Sequence, residues 1–447
     1  MLILGLVFFG SVLTMPVLRT SASDFTAWSR ANAVLPANGK AAKSTDTTVD
    51  RKAASVVAIG SMSAIGASPS SAIAKRWRII PAVIAPIQTL TNAGYWDAYI
   101  AKYNSAGVVQ WFARQGGGGS SELATSVTVD SSGNIIVAGI YASSPMTIYN
   151  ANGSAFATTL ANSGANDAYI AKYNSAGDVQ WVAKQGGSTG TDERANAVTV
   201  DSSGNIIVAG YYGANPLTIY NKDGTAFATT LANSGSNDAY IAKYNSDGFV
   251  QWVAKQSGGG NDQALAVTVD SSGNIIVAGY FNSTPFTIYN KDGTAFATTL
   301  TNIANDAYIA KYNSAGDVQW VAKQGGSTDN DRAYAVSVDS TGNIIVAGYF
   351  ASTTLTIYNK DGTAFATTLA NSGSNDAYIA KYNSDGFVQW VAKQGGESSD
   401  DQAYAVNVDS SGNIIVAGYF ASTTLTIYNS DGTNKVPDTP SSLVYYR

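Results

Sequence analysis

Five acidic residues recur in one place along the chain: Glu122, Glu193, Asp262, Asp331 and Asp401. Each stands eight residues before another recurring carboxylate, at Asp130, Asp201, Asp270, Asp339 and Asp409. Hard cations take carboxylate oxygens, so the first set reads as a candidate metal site, with calcium as the candidate ion. The competing reading has these acids accepting backbone N–H bonds or facing water. The second set opens the motif DSSGNIIVAG but lacks the dense D-x-D-x-D spacing of a calcium loop. Turn capping is the better account of it, since Asp caps turns and Gly supplies positive φ. Five tryptophans also recur, at Trp111, Trp181, Trp252, Trp320 and Trp390. A strand tryptophan at a repeated apolar position packs a core more often than it stacks on a sugar.

The chemistry that is excluded is equally informative. The chain has no Cys and no His. Thiolate nucleophiles, disulfides, Cys/His zinc sites and imidazole bases are therefore absent. Charged residues make up 13% and the net charge is −5, without the clustered Lys and Arg of a nucleic-acid footprint. A carboxylate-dependent glycosidase or lyase needs only two acids. Yet the recurring acids are nearly equivalent, so no unique acid/base pair stands out and the expectation is no catalytic residue and no cofactor.

The elements that must position these residues repeat as well. DSSGNIIVAG returns with spacings of 71, 69, 69 and 70 residues, its fourth copy as DSTGNIIVAG. DAYIAKYN, starting at Asp97, Asp167, Asp238, Asp306 and Asp376, and TIYN keep step with it. In DAYIAKYN the side chains alternate, and VQWVAKQ and AVTVD follow the same period of two, which marks strands. SAG or SDG, SSG and KDG read as the turns between them. Each unit is thus expected to be a four-stranded antiparallel sheet plus one extra hairpin. Sheets of four strands repeated radially make a β-propeller, whereas a solenoid of short rungs needs a period of about 20–30 residues.

The first copy lacks the AVTVD and NIIVAG strands before DAYIAKYN, and the last stops after TIYN. The two ends are then halves of one blade, and their pairing predicts an all-β, closed five-bladed propeller over residues 86–430. Closure would remove the open edges. The alternative is pairing of the halves between molecules, which builds a head-to-tail filament or particle.

Residues 1–23 carry an apolar run and small residues that read as a signal peptide or hydrophobic segment. Residues 24–85 are Ala/Ser/Thr-rich, a linker or pro-segment, with Lys75, Arg76 and Arg78 around Trp77. Residues 431–447 form a tail. Asn152 and Asn282 satisfy the N-glycosylation pattern.

The motif DAYIAKYNSxG…VQWVAKQGG…AxAVxVDSSGNIIVAGY resembles the SBBP-type β-propeller repeat. The resemblance covers residues 86–430. It implies a propeller with a secreted or surface role, places AVTVD innermost and VQWVAKQ outermost, and transfers no catalytic residue. On that placement the five acids ring one mouth of a channel. The variable loops at 116–121, 186–192, 257–261, 325–330 and 395–400, and at 142–146, 212–217 and 282–286, are the expected contacts for a protein or glycan partner. Self-association is a further expectation. Nucleic acid is not expected as a partner, nor is a membrane for the propeller itself.

Overall fold

Every complete sheet has the same strand order. In the second, Glu193–Val200 lies at the inner edge and Ile206–Tyr212 comes next. Asp238–Tyr244 and Val250–Ser257 follow. All neighbours are antiparallel, as consecutive hairpins require. The VQWVAKQ strand is not the outermost. The TI pair of the following copy, Thr287–Ile288, adds a short fifth strand against Gln256 and Ser257. The extra hairpin read from the sequence therefore covers the outer edge of the preceding sheet. That placement shields an edge that would otherwise be open.

The computed structural model describes residues 89–187, 190–302, 304–326 and 329–433, and two short strands, Val7–Phe8 and Ser11–Val12, paired with each other. The chain divides into two units, 1–89 and 90–447. Apart from those two strands, the proposed signal segment and the 24–85 linker lie outside the described residues, as does the tail beyond residue 433.

The core lies between successive sheets. Ile136, Ile170 and Trp181 of the first complete sheet pack with Val208, Tyr240 and Tyr244 of the second. The third strand is consequently buried on both faces: all seven residues of Asp167–Tyr173 are buried, as are those of Asp238–Tyr244 and Asp306–Tyr312. Alternation in DAYIAKYN therefore marks two buried faces, each apolar enough for its neighbour. Trp111, Trp181, Trp252 and Trp320 are buried, and Trp181 stacks on Tyr244 of the next sheet with centroids 6.4 Å apart. They are core residues.

Four sheets are complete and two are partial. Ala98–Tyr103, Val109–Gly116 and Thr147–Ile148 form a three-stranded sheet at one end. Asp401–Val408 and Ile414–Phe420 form a two-stranded sheet at the other. The halves carry the complementary strands expected, but among the described residues Ile414–Phe420 is not paired with Ala98–Tyr103, so the pairing that would close a five-bladed ring is not made. The reason is that each copy is held only to its neighbours. The relation between the ends is the accumulated result of the intervening joints, since among the described residues no strand pairing links the ends themselves. What the fold shows is an all-β, propeller-like repeat of antiparallel sheets.

Candidate functional site

DSSGNIIVAG is a hairpin built around its first residue. Asp201 Oδ1 accepts from the Ser203 and Asn205 amides at 3.0 and 2.9 Å, and Oδ2 accepts from Asn205 Nδ2 at 2.8 Å. Lys243, from the neighbouring DAYIAKYN strand, sits 3.0 Å from the same carboxylate. Burial pushes the Asp201 carboxyl up, but the bonds from Asn205 and Lys243 outweigh it and hold it below the usual range. Asp130, Asp270 and Asp339 pair with Lys172, Lys311 and Lys381 in the same way. These aspartates cap turns and anchor one strand to the next.

The five acids of the candidate metal site have a different setting. Glu122, Glu193, Asp331 and Asp401 begin their inner strands, Asp262 stands immediately before its own, and all five are wholly buried. They do not stand around an open mouth. Their oxygens hold two loops together. Asp331 accepts from Gly326 N at 2.9 Å in the loop before it, and from Ala351 N, Ser352 N and Ser352 Oγ at 2.7–3.1 Å in the loop after the second strand. Asp401 repeats this with Gly396, Ala421 and Ser422. Glu122 bridges Gly117 and Ser143, Glu193 receives Ala214 N, and Asp262 receives Asn282 N and Ser283 Oγ.

Each acid has a partner that the motif reading passed over. The first residue of DAYIAKYN is also buried: Asp167, Asp238, Asp306 and Asp376 are at most 1% exposed. The unpartnered oxygens Asp167 Oδ1 and Glu193 Oε2 face one spot beside Gly164, where a Cβ would lie 3.4 and 3.2 Å from them. The signal was present in the sequence. An acid opens the third strand in every copy, where the flanking apolar pattern has no use for a charge.

A basic residue of the VQWVAKQ strand completes the group. Lys184, Lys323 and Lys393 reach Asp167, Asp306 and Asp376 at 3.0–3.5 Å, and Arg114 reaches Asp97 at 3.0 Å. Burial drives the carboxyls up: Glu193, Asp238 and Asp331 to about 7, Asp262 and Asp306 to about 6. Two carboxylates and one cation carry one negative charge in excess, and a single proton neutralises it. A divalent cation would leave a buried positive charge beside the lysine. Among the described residues no group of three or more metal-capable side chains converges on one point. The arrangement therefore suits a shared proton better than calcium. Millimolar calcium should leave the melting temperature unchanged, since only preferential binding to the folded state raises it. A calcium-dependent rise in a thermal melt, lost on Glu193→Gln, would show that the metal is taken up.

The two glycosylation-pattern asparagines are exposed, Asn152 at a hairpin tip and Asn282 in the loop that Asp262 holds. A polar cleft of about 1110 Å³ opens between loops of the last copy, with Glu397, Ser398, Thr423 and Thr424 on its walls.

No family model matches the chain, so the SBBP-type resemblance gains no support from that direction. An uncharacterized WD repeat-containing protein of Acanthamoeba polyphaga mimivirus is 29% identical over 392 residues, 78% of this chain and 28% of that protein. The regulatory protein FlaEY of Caulobacter vibrioides is 26% identical over 152 residues, 34% of this chain and 15% of that protein. The chain thus spans well under a third of the length of these relatives. Among solved structures, a Dyadobacter fermentans protein of unknown function aligns with a TM-score of 0.28 at 9% identity, covering 63% of this chain and 83% of that one. The rhamnogalacturonan lyase YesW aligns with a TM-score of 0.22 at 12% identity, covering 70% and 75%. The similarity to a WD repeat-containing protein agrees with a propeller-like repeat scaffold in general.

Proposed function

We propose that this chain is a non-catalytic repeat scaffold that binds a protein or glycan through its variable loops, in a secreted or surface setting of the kind the SBBP-type resemblance implies. One observation carries the reading: in each copy a single buried carboxylate fixes the variable loop before it beside the turn that follows the second strand. Asp331 joins the 325–330 loop to the turn at Ala351–Ser352, and Asp401 joins 395–400 to Ala421–Ser422. The strands below are nearly invariant between copies, while the loop before each acid differs from copy to copy; the turn after the second strand also varies, except that 351–354 and 421–424 share ASTT. A rigid base with variable loops is how scaffolds present binding surfaces. The acids that a glycosidase or lyase would need are engaged in this work five times over, and none is singled out as an acid/base pair.

The test is a glycan array and a pull-down from surface proteins, run with the parent and with a variant carrying Glu397→Ala, Ser398→Ala, Thr423→Ala and Thr424→Ala. The expected result is a ligand retained by the parent and weakened at least tenfold in the variant, with the melting temperature unchanged. A ligand bound equally by both would remove the cleft from the reading, and hydrolysis of a glycan by the parent would overturn the non-catalytic assignment.

A further inference from the structure

The four internal joints between second and third strands share one register. Ile135 to Tyr141 oppose Tyr173 to Asp167, residue for residue, and the joints at 206–212, 275–281 and 344–350 repeat this. Among the described residues the fifth second strand, Ile414–Phe420, has no third strand, and the first third strand, Ala98–Tyr103, has no second strand. Both edges expose what the internal joints bury. Tyr99 and Tyr103 are 68% and 60% exposed, whereas Tyr169 and Tyr173 are fully buried. Phe420 is 56% exposed, whereas Phe350 is fully buried.

The polar partners are missing in the same pattern. Lys172, Lys243, Lys311 and Lys381 each meet a turn aspartate, while Asp409 has no lysine against it among the described residues. Gln115, Gln185, Gln256 and Gln324 are wholly buried and donate to Tyr173, Tyr244, Tyr312 and Tyr382 at 2.9–3.2 Å. Gln394 is only half-buried, with no such tyrosine among the described residues. Asn150, Asn221, Asn290 and Asn359 each accept from a valine amide of the next sheet at 2.8 Å, whereas Asn429 has no equivalent among the described residues.

We propose that a second copy of this chain completes the open sheet, with Ile414–Phe420 of one copy pairing antiparallel with Ala98–Tyr103 of the next. The internal register sets Ile414 against Tyr103, Val416 against Ala101 and Phe420 against Asp97. Lys102 then meets Asp409, Gln394 meets Tyr99 and Tyr103, and Asn429 receives the Val109 amide. One end is used per contact, so the assembly is head-to-tail and grows by whole copies. Main-chain bonds along an open edge supply the attachment, and the buried tyrosines and the Lys102–Asp409 pair fix its register. The joint is separate from the loop surface and stands or falls without it.

The absence of native Cys makes the test clean. Ala101→Cys and Val416→Cys are made singly and together, with Ala98→Cys as the out-of-register partner for Val416→Cys. Opposed strand residues lie within disulfide reach, whereas a three-residue offset does not. Under mild oxidation, the mixed single variants should give a covalent heterodimer, the double variant a ladder of multimers, and the Ala98 control neither. Sedimentation of the parent should show mass rising with concentration in whole-chain steps. A double variant that forms only an internal link, with no heterodimer from the mixed singles, would mean that one chain closes on itself and would overturn the proposal. Absence of any link, with folded variants and a monomeric parent, would overturn it equally.

Discussion

The folded protein is expected to be more stable near pH 5 than near pH 8. Five buried carboxyls are held above their ordinary range by burial, Glu193, Asp238 and Asp331 at about 7, Asp262 and Asp306 at about 6. In the unfolded chain they titrate near 4. Between these limits the folded state binds more protons, so its stability falls as pH rises. That contribution is fully present below about pH 4 and is lost as pH passes through 6–7. The turn aspartates act in the opposite sense. Asp201, Asp270 and Asp339 are held below the usual range despite burial, by their asparagine and lysine partners, so their contribution is present above about pH 4 and lost in stronger acid. The maximum therefore falls at about pH 4, and the decline runs from there through about pH 6–7. Asp238 with Asp262, Asp306 with Asp331 and Glu193 with Asp167 each share one proton, so each pair, not each carboxyl, is worth on the order of a few kcal/mol over the window. Calorimetric melts from pH 3 to pH 9 should show the fall on the alkaline side. Glu193→Gln and Asp331→Asn together should flatten it. A profile that rises from pH 5 to pH 8, or that these substitutions leave unaltered, would contradict the shared-proton account.

Gly210→Ala should be among the most damaging single substitutions in the chain. The inner strand carries a bulge between Ala195 and Ala197, and Gly210 lies opposite Ala195. A Cβ at Gly210 would fall 1.8 Å from Arg194 O and 2.9 Å from Arg194 C, both backbone atoms. No rotamer change relieves such a clash, so the two strands must separate. The same approach recurs at Gly139, Gly279, Gly348 and Gly418, which is why every copy of the motif ends in glycine. The expected loss is about 3 kcal/mol or more, at the upper end for overpacking. Gly259→Ala is the control, because nothing lies within 4 Å of a Cβ there. Urea unfolding of the two variants provides the comparison. Equal midpoints would show that the inner hairpin yields where the geometry says it cannot.

Much of this architecture is legible in the residues. The period, the strands and the capped turns follow from alternation and from Asp, Asn and Gly at fixed offsets, because those signals are local. The core role of the tryptophans follows from their recurrence on an apolar strand face. The carboxyl pairs are less legible. Asp167 and Glu193 are 26 positions apart, and only the folded sheet brings their oxygens together. The acids of the candidate metal site read as mouth residues because their place at the strand start was clear, whereas their burial depends on loops that fold over them. Closure was the least legible feature, since complementary halves at two ends do not say whether those ends meet.

The joints carry a further consequence for length. Each one repeats the same contacts, Gln to Tyr, Lys to Asp and Asn to amide, and neither terminal face depends on how many joints lie between. Removing one 69- or 71-residue period from the interior, such as 201–269, shortens the array and leaves both faces as they were. Copy number is thus a free parameter in this molecule, one that can change by whole units without any matching change elsewhere.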